Sequence, residues 1–225
     1  GIPVSISIGA AVFATFLTSE FSDATYIIPQ QLLEGVRKPS LTAVPFFIMA
    51  GNLMNTVGMT DRIFNFANSL VGHFKAGLAQ VNVLASMVFA GVSGAAVADC
   101  AGLGMIEIKA MRERGYNPEF AAALTVCSAV IGPIIPPSIG LVIYAFLAQQ
   151  SIERMFLAGL VPGLLVGLSL MVFNRILATR QHFPTQEKAS RETVLKTSLD
   201  GILALGAPGI ILGAILFGFV TATEA

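Results

Sequence analysis

Two stretches of this sequence hold residue types that suit the binding of ions and small anions. Residues 91–104 (GVSGAAVADCAGLG) set a serine and an aspartate among four glycines, and residues 132–138 (GPIIPPS) place three prolines within five positions. Because proline lacks the amide hydrogen that a helix needs, a helix cannot continue through the second stretch. Backbone freed in this way offers carbonyl oxygens to a hard cation such as Na⁺, and adjoining half-helices point their N-termini at an anion.

The oxygen atoms expected to hold the cation come from one side chain and from loosened backbone. Ser93 supplies a hydroxyl group, and the second stretch supplies the carbonyl groups around Gly132, Ile135 and Pro137. A plainer interpretation is that the prolines only kink a helix and the glycines only allow close packing. The occurrence of both features within about fifty residues favours the ion site over that interpretation.

Polar side chains inside apolar stretches are candidates for contact with the anion. Asp99 is the one carboxylate well inside such a stretch, and an ionisable residue at membrane depth is a functional candidate by default. Capping of a short helix is its alternative role. Asn52 and Asn55 lie near the end of an uncharged segment, where they could also serve as polar contacts between helices.

Two other classes of function compete with transport. Residues 91–94 fit the GxSG pattern of rhomboid-like intramembrane serine proteases. A nucleophilic serine there would need a histidine within hydrogen-bond reach, but His73 and His182 both fall in charged, interfacial segments. An ion channel is the third class, although a continuous pore does not require two broken helices that close one site.

The composition indicates an all-α polytopic membrane protein. Of the 225 residues, 55% are hydrophobic and 12% are charged, and the mean hydropathy is +0.79. These values lie outside the range of soluble globular domains, so lipid must cover much of the surface. Thirteen basic residues balance thirteen acidic ones, which leaves no basic face for nucleic acid.

Apolar segments alternate with polar ones in lengths that fit membrane helices. Residues 60–75 repeat apolar residues at helical spacing against polar ones, which predicts an amphipathic helix lying in the membrane interface. Gly159, Gly163 and Gly167 form a stripe of small residues suited to close helix packing. The predicted membrane segments are 1–17, 41–57, 119–148 (broken at 132–138), 155–177 and about 199–220.

The distribution of lysine and arginine predicts the side of the membrane that each loop faces. Ten of the thirteen basic residues fall in three regions, which we place in the cytoplasm. These regions are 60–75, 107–116 and 175–197. The predicted loops at 18–40 and 149–154 hold the other three basic residues and lie outside. This count requires that 77–108 enter and leave on one side, as a re-entrant helical hairpin.

Four stretches of the sequence resemble a known family, the large membrane subunit (DctM/SiaM-like) of tripartite ATP-independent periplasmic (TRAP) transporters. The hairpin and the GPIIPPS block are the most specific part, and the match covers nearly the whole chain. The stretches are 44–63 (VPFFIMAGNLMNTVGMTDRI), 77–145, 156–167 (FLAGLVPGLLVG) and 213–225 (GAILFGFVTATEA).

The resemblance implies an inverted-repeat, elevator-type Na⁺ symporter, with 77–108 as its inward-opening hairpin and 132–137 as the unwound partner. Many members have Ser-Gly-Ser at the hairpin tip, but this chain has alanine at position 95, which leaves only a backbone oxygen there. Asp99 matches a hairpin aspartate near the substrate cavity. The implied sodium ligands are Ser93, Ala95, Gly132, Ile135 and Pro137.

The resemblance also implies partners, a location and an incomplete chain. The partners are a small membrane subunit of the DctQ/SiaQ type, a periplasmic substrate-binding protein and a small organic acid such as a C4-dicarboxylate or sialic acid. No organic cofactor is expected, and the location is the bacterial inner membrane. Because only the first repeat, less its opening helix, and the start of the second are expected here, the chain should not transport alone.

The predicted organisation has four parts, each defined by its role in such a transporter. They are scaffold and interfacial helices (1–76), transport-domain elements (77–148, with the hairpin at 77–108 and the broken helix at 117–148), a connecting helix with a cytoplasmic loop (149–197) and the start of the second repeat (198–225).

Overall fold

A computed structural model of the chain describes residues 2–18, 26–37, 39–180, 183 and 188–220, and these residues form helices and connections without a β-strand. The helices are α1 (Val4–Thr18), α2 (Ile27–Arg37), α3 (Pro39–Thr56), α4 (Met59–Val71), α5 (Gly77–Ser93), α6 (Ala96–Ala101), α7 (Leu103–Glu113), α8 (Pro118–Ala129), α9 (Ile139–Leu147), α10 (Ile152–Arg180) and α11 (Arg191–Leu216). The expectation of an all-α chain is confirmed for these residues.

Two regions predicted as loops contain helix. The stretch 18–40 was predicted as a polar loop, but α2 occupies its second half and is amphipathic, a signal that the charged flanks obscured. Helix α11 begins inside the predicted basic loop, where the Ser190 hydroxyl accepts a hydrogen bond from the Thr193 amide at 3.1 Å and caps the helix. His182 lies outside the described residues.

The amphipathic segment 60–75 is helical as far as Val71 and forms α4, whereas residues 72–75 are turns. Its apolar side buries Ile63, Ala67 and Val71 against α5, while Asp61 and Arg62 stay exposed. Helix α11 packs against the same helix, with the Thr197 hydroxyl donating to the Ser69 hydroxyl at 2.9 Å. Its predicted position in a membrane interface stays a prediction.

Helix α5 is the centre of the packing, because α4, α7, α8 and α10 all contact it. Val81, Val83 and Ala85 are completely buried along its length. Amide side chains tie its start to α10: Gln80 Nε2 donates to the Met171 carbonyl at 2.9 Å, and Asn174 Nδ2 donates to the Ala79 carbonyl at 3.1 Å. These bonds fix the position of α5 along α10.

Helix α10 has an apolar outer face and a packed inner face. By length and composition, Ile152–Thr179 is the one described helix long and apolar enough to cross a membrane. On the inner face the predicted glycine stripe is confirmed, since side-chain atoms added at Gly163 and Gly167 would collide with Ile135 and Met87. A Cβ at Gly159 would lie 2.5 Å from the carbonyl oxygen of Ile134. Backbone at 134–135 therefore rests directly on α10.

We predict that Gly159→Ala destabilises the full-length protein by about 1–3 kcal/mol, because its methyl group would meet backbone that cannot easily move. Gly206→Ala is the control. Gly206 lies inside α11 with no atom within 4 Å of an added Cβ, so this replacement should raise the stability of the helix slightly. Thermal unfolding in detergent measures both variants. Equal melting temperatures for the two would contradict the close contact between α10 and residue 134.

Candidate functional site at the hairpin tip

A sharp turn joins α5 to α6 and forms the tip of the helical hairpin. Gly94 ends α5 in the left-handed conformation, with φ of 58°, and Ala95 is extended before α6 begins. Glycine adopts this backbone without the steric cost that a Cβ brings. A Cβ at Gly94 would also lie 2.8 Å from the carbonyl oxygen of Pro137. The tip is therefore seated directly on residues 137–139.

The stretch that receives the tip is not helical. Helix α8 ends at Ala129 and α9 begins at Ile139, with turns and bends between them and a cis peptide bond at Pro136-Pro137. Ser138 is fully buried; its hydroxyl donates to the Pro133 carbonyl at 2.7 Å and accepts from the Leu141 amide at 3.3 Å. Ser138 thus closes the turn and caps α9.

Asp99 links the tip to the start of this non-helical stretch. The Ser93 hydroxyl donates a hydrogen bond to Asp99 Oδ1. Asp99 is 1% exposed, and its Oδ2 has no hydrogen-bond partner in the described structure. A Cβ at Gly132 would lie 2.5 Å from Oδ2, so only glycine leaves room for the carboxylate there. The carboxylate is therefore buried against Gly132 with one oxygen unpartnered.

The predicted sodium ligands differ in how closely they approach the contact between the tip and residues 132–138. Ser93 lies beside Asp99, which touches Gly132, and Pro137 presents its carbonyl to the tip. Ala95 is half-buried at the turn itself. The side chain of Ile135 packs against α10, and only its backbone could face an ion. Within the described residues no group of three His, Cys, Asp or Glu side chains could hold a metal, which leaves hydroxyl and carbonyl oxygens.

A cavity of about 170 Å³ borders the tip. Helix α3 forms one wall, and no lysine, arginine or carboxylate lines the described cavity. Asn52, predicted to contact substrate, lies on this wall, whereas the side chain of Asn55 is outside the described residues. The lining residues are Ile48, Gly51, Asn52, Phe89, Ser93, Ala95, Ala98, Ala101, Gly102 and Ile139.

Asp99 and Ser138 are two further residues of this region. Contact between Asp99 and substrate stays a prediction; its carboxylate is buried against Gly132, and it is not among the residues that line the cavity. Ser138 was not singled out, although a serine that follows two prolines and precedes an apolar run is the usual signal for a helix N-cap.

Comparison with known proteins gives a consistent set of relatives. The family model for the tripartite ATP-independent periplasmic transporter, DctM component, matches residues 1–225. The sialic acid TRAP transporter large permease protein SiaM of Vibrio cholerae is 45% identical, over all of this chain and 52% of that protein. The 2,3-diketo-L-gulonate TRAP transporter large permease protein YiaN of Escherichia coli is 40% identical, over 88% of this chain and 47% of that protein.

A further relative carries a different substrate in its name. The C4-dicarboxylate TRAP transporter large permease protein DctM of Vibrio cholerae is 39% identical, over all of this chain and 50% of that protein. The chain therefore spans about half the length of the relatives that it matches.

Replacement of Gly94 by alanine tests the contact between the tip and residue 137. Gly58 is a matched control, because it also has positive φ (76°) but no atom within 4 Å of an added Cβ. We predict that Gly58→Ala costs only the strain of the left-handed conformation, about 1 kcal/mol. Gly94→Ala should cost about 1–3 kcal/mol more, because the tip must also separate from Pro137.

The measurement is the difference in thermal stability between the two variants of the full-length protein. If Gly94→Ala proved no more destabilising than Gly58→Ala, the tip would not be held against Pro137.

Proposed function

Because this chain belongs to the DctM family of tripartite ATP-independent periplasmic transporters, we propose that it is part of a Na⁺-coupled permease for a small organic anion. The observation that carries this proposal is the seating of the hairpin tip on the non-helical stretch at 132–138. Members of the family are transporters, so the chain is not an enzyme and the protease interpretation is wrong.

We place the chain in the bacterial inner membrane, with 77–108 as a re-entrant hairpin and α8 and α9 as halves of one broken membrane helix. Support comes from the burial of the backbone between these halves. Non-helical backbone is tolerated at membrane depth only where protein or a cavity covers it. Gly132, Ile135, Pro137 and Ser138 are all buried.

The proposed sodium site lies between the hairpin tip and the non-helical stretch at 132–138, which is called the break below. Ser93, the carbonyl of Ala95, and the carbonyls of Gly132, Ile135 and Pro137 would supply oxygen ligands of the kind that a hard cation prefers. We assign Asp99 to the ion side of the tip, because its unpartnered carboxylate oxygen faces Gly132. The negative charge would strengthen cation binding in a site shielded from water.

The proposed anion site is the cavity that lies between the tip and α3. Asn52 and Ser93 supply neutral polar groups, and the small side chains at Gly51, Ala98 and Gly102 leave room for a ligand. Ser93 and Ala95 border both proposed sites, so ion binding would fix the wall that the anion touches. Coupling then follows from the higher affinity for anion when the ion is present.

The substrate class that we propose is a carboxylate, as in the relatives named for sialic acid and C4-dicarboxylates. The other half of the permease, a small membrane subunit and a periplasmic substrate-binding protein would complete the system. An elevator-type movement of the hairpin with α8 and α9 would carry both ligands across the bilayer.

We predict that uptake by the full-length permease requires an inward Na⁺ gradient and that Ser93→Ala raises the half-saturating Na⁺ concentration about tenfold, as expected for one lost oxygen ligand. Ser169→Ala is the control, because that exposed hydroxyl bonds only to Leu165 of its own helix, at 2.6 Å. Proteoliposomes with the small subunit and loaded binding protein provide the measurement. Uptake that is indifferent to Na⁺ would remove the coupling proposal.

The anion site is tested separately by Asn52→Ala. This variant should raise the KM for the anion about three- to tenfold, as for one lost hydrogen bond. The half-saturating Na⁺ concentration, measured at saturating anion, should be unchanged. Thr56→Ala on the same helix is the control, since its exposed hydroxyl bonds to the Leu53 carbonyl at 2.8 Å. Sialic acid and a C4-dicarboxylate are tested in parallel. An unchanged KM for every transported anion would place the substrate elsewhere.

A further inference from the structure

A buried polar cluster joins the two arms of the hairpin below its tip. Asn82 on α5 is completely buried, and its Nδ2 donates to Glu107 Oε2 on α7 and to Thr125 Oγ1 on α8, both at 2.7 Å. Both amide hydrogens of Asn82 are therefore used, one for each neighbouring helix.

Two serines, Ser86 on α5 and Ser128 on α8, extend the cluster between these helices. The Ser128 hydroxyl donates to Asn82 Oδ1 at 2.7 Å, and the Ser86 hydroxyl donates to Ser128 Oγ at 3.0 Å. Ser128 is completely buried, and Ser86 is 2% exposed. Asn82 thus uses both of its donor hydrogens and its amide oxygen on side chains of α7 and α8, which fixes one arrangement of α5, α7 and α8.

Glu107 is the unusual member of this cluster. It is buried, and its Oε1 has no hydrogen-bond partner in the described structure. Among the described residues no lysine, arginine or histidine forms an ion pair with it. Burial of a carboxyl group without a cation is costly, so hydrophobic packing alone would favour leucine at this position.

The cluster connects to the tip through Gly104. A Cβ at Gly104 would lie 2.7 Å from Thr125 Cγ2 and 3.5 Å from the carbonyl oxygen of Asp99. Thr125 therefore sits between the Asn82 amide and the turn of chain that carries Asp99. Any change in the spacing of α7 and α8 would move Asp99 relative to Gly132, where the proposed ion site lies.

We propose that Glu107 is a positioning residue for the sodium site: as a hydrogen-bond acceptor of Asn82 it locks the outer arm of the hairpin to α5 and α8. This inference rests on the proposed function for its effect on Na⁺, but the locking itself does not depend on coupling. Glu107 acts through geometry, and neither a charge nor a direct contact with the ion is required of it.

Three variants of the full-length permease separate this role from others. Glu107→Leu removes the acceptor, Glu107→Gln keeps an acceptor oxygen for Asn82, and Glu113→Leu removes an exposed glutamate from the same helix. Thr125→Val is a milder disruption of the cluster. We expect Glu107→Leu to raise the half-saturating Na⁺ concentration about tenfold with a small change in maximal uptake, and Thr125→Val to do so to a lesser extent. Glu107→Gln and Glu113→Leu should stay within about twofold of wild type.

A second measurement does not depend on transport. Hydrogen–deuterium exchange of the amides at 94–102 should be about tenfold faster in Glu107→Leu and unchanged in Glu107→Gln, because the tip loosens when the arms unlock. Wild-type exchange at 94–102 in Glu107→Leu and Thr125→Val would overturn the proposal. So would a Glu107→Gln variant as impaired as Glu107→Leu, since charge would then be the important property. If wild-type uptake ignored Na⁺, the coupling proposal would fail while the exchange result still decided the locking role.

Discussion

The contact between Gly94 and the carbonyl of Pro137 is the constraint on which the site depends. Two pieces of backbone meet there, and neither has its carbonyl groups fully engaged in a helix. Such backbone is stable away from water only if other protein atoms cover it. The tip and the break therefore cover each other's backbone. This mutual burial explains why two non-helical stretches lie together in an otherwise helical structure.

The rest of the fold supplies rigid supports for that contact. Helix α5 delivers the tip and is itself held by α4, α7, α8 and α10. Helix α10 supports the break from behind, because the absence of side chains at Gly159 and Gly163 lets residues 134–135 rest on it. A site that binds a small ion needs its oxygens placed to within a fraction of an ångström, which close packing on both sides provides.

Much of this arrangement could be predicted from the sequence because proline and glycine have strong local effects. Three prolines within five positions, at 133, 136 and 137, interrupt a helix, whereas the single prolines at 45 and 162 lie inside α3 and α10. The spacing of Gly159, Gly163 and Gly167 places them on one helix face. The amphipathic pattern of 60–75 likewise depends only on periodicity. The sequence of α2 also repeats apolar residues at helical spacing, but the charged composition of 18–40 suggested a loop.

The side of the tip to which Asp99 turns could not be predicted in this way. Its sequence position is compatible with either the cavity or the break, and only the packing of α6 against α8 places its carboxylate on Gly132. The hydrogen bonds of Asn82 are similarly tertiary, since their partners lie 25 and 43 residues away along the chain. Sequence patterns locate polar residues in apolar segments, but long-range packing decides which of them meet.

The central claim is that a sodium ion joins the tip to the break. Its most direct test is a pair of high-resolution structures of the full-length permease, one in Na⁺ and one in choline. We predict a peak of density among the oxygens of Ser93, Gly132 and Pro137 in Na⁺, with loss of that peak in choline. Density that is the same in both conditions, or an ion bound only elsewhere in the first repeat, would contradict it.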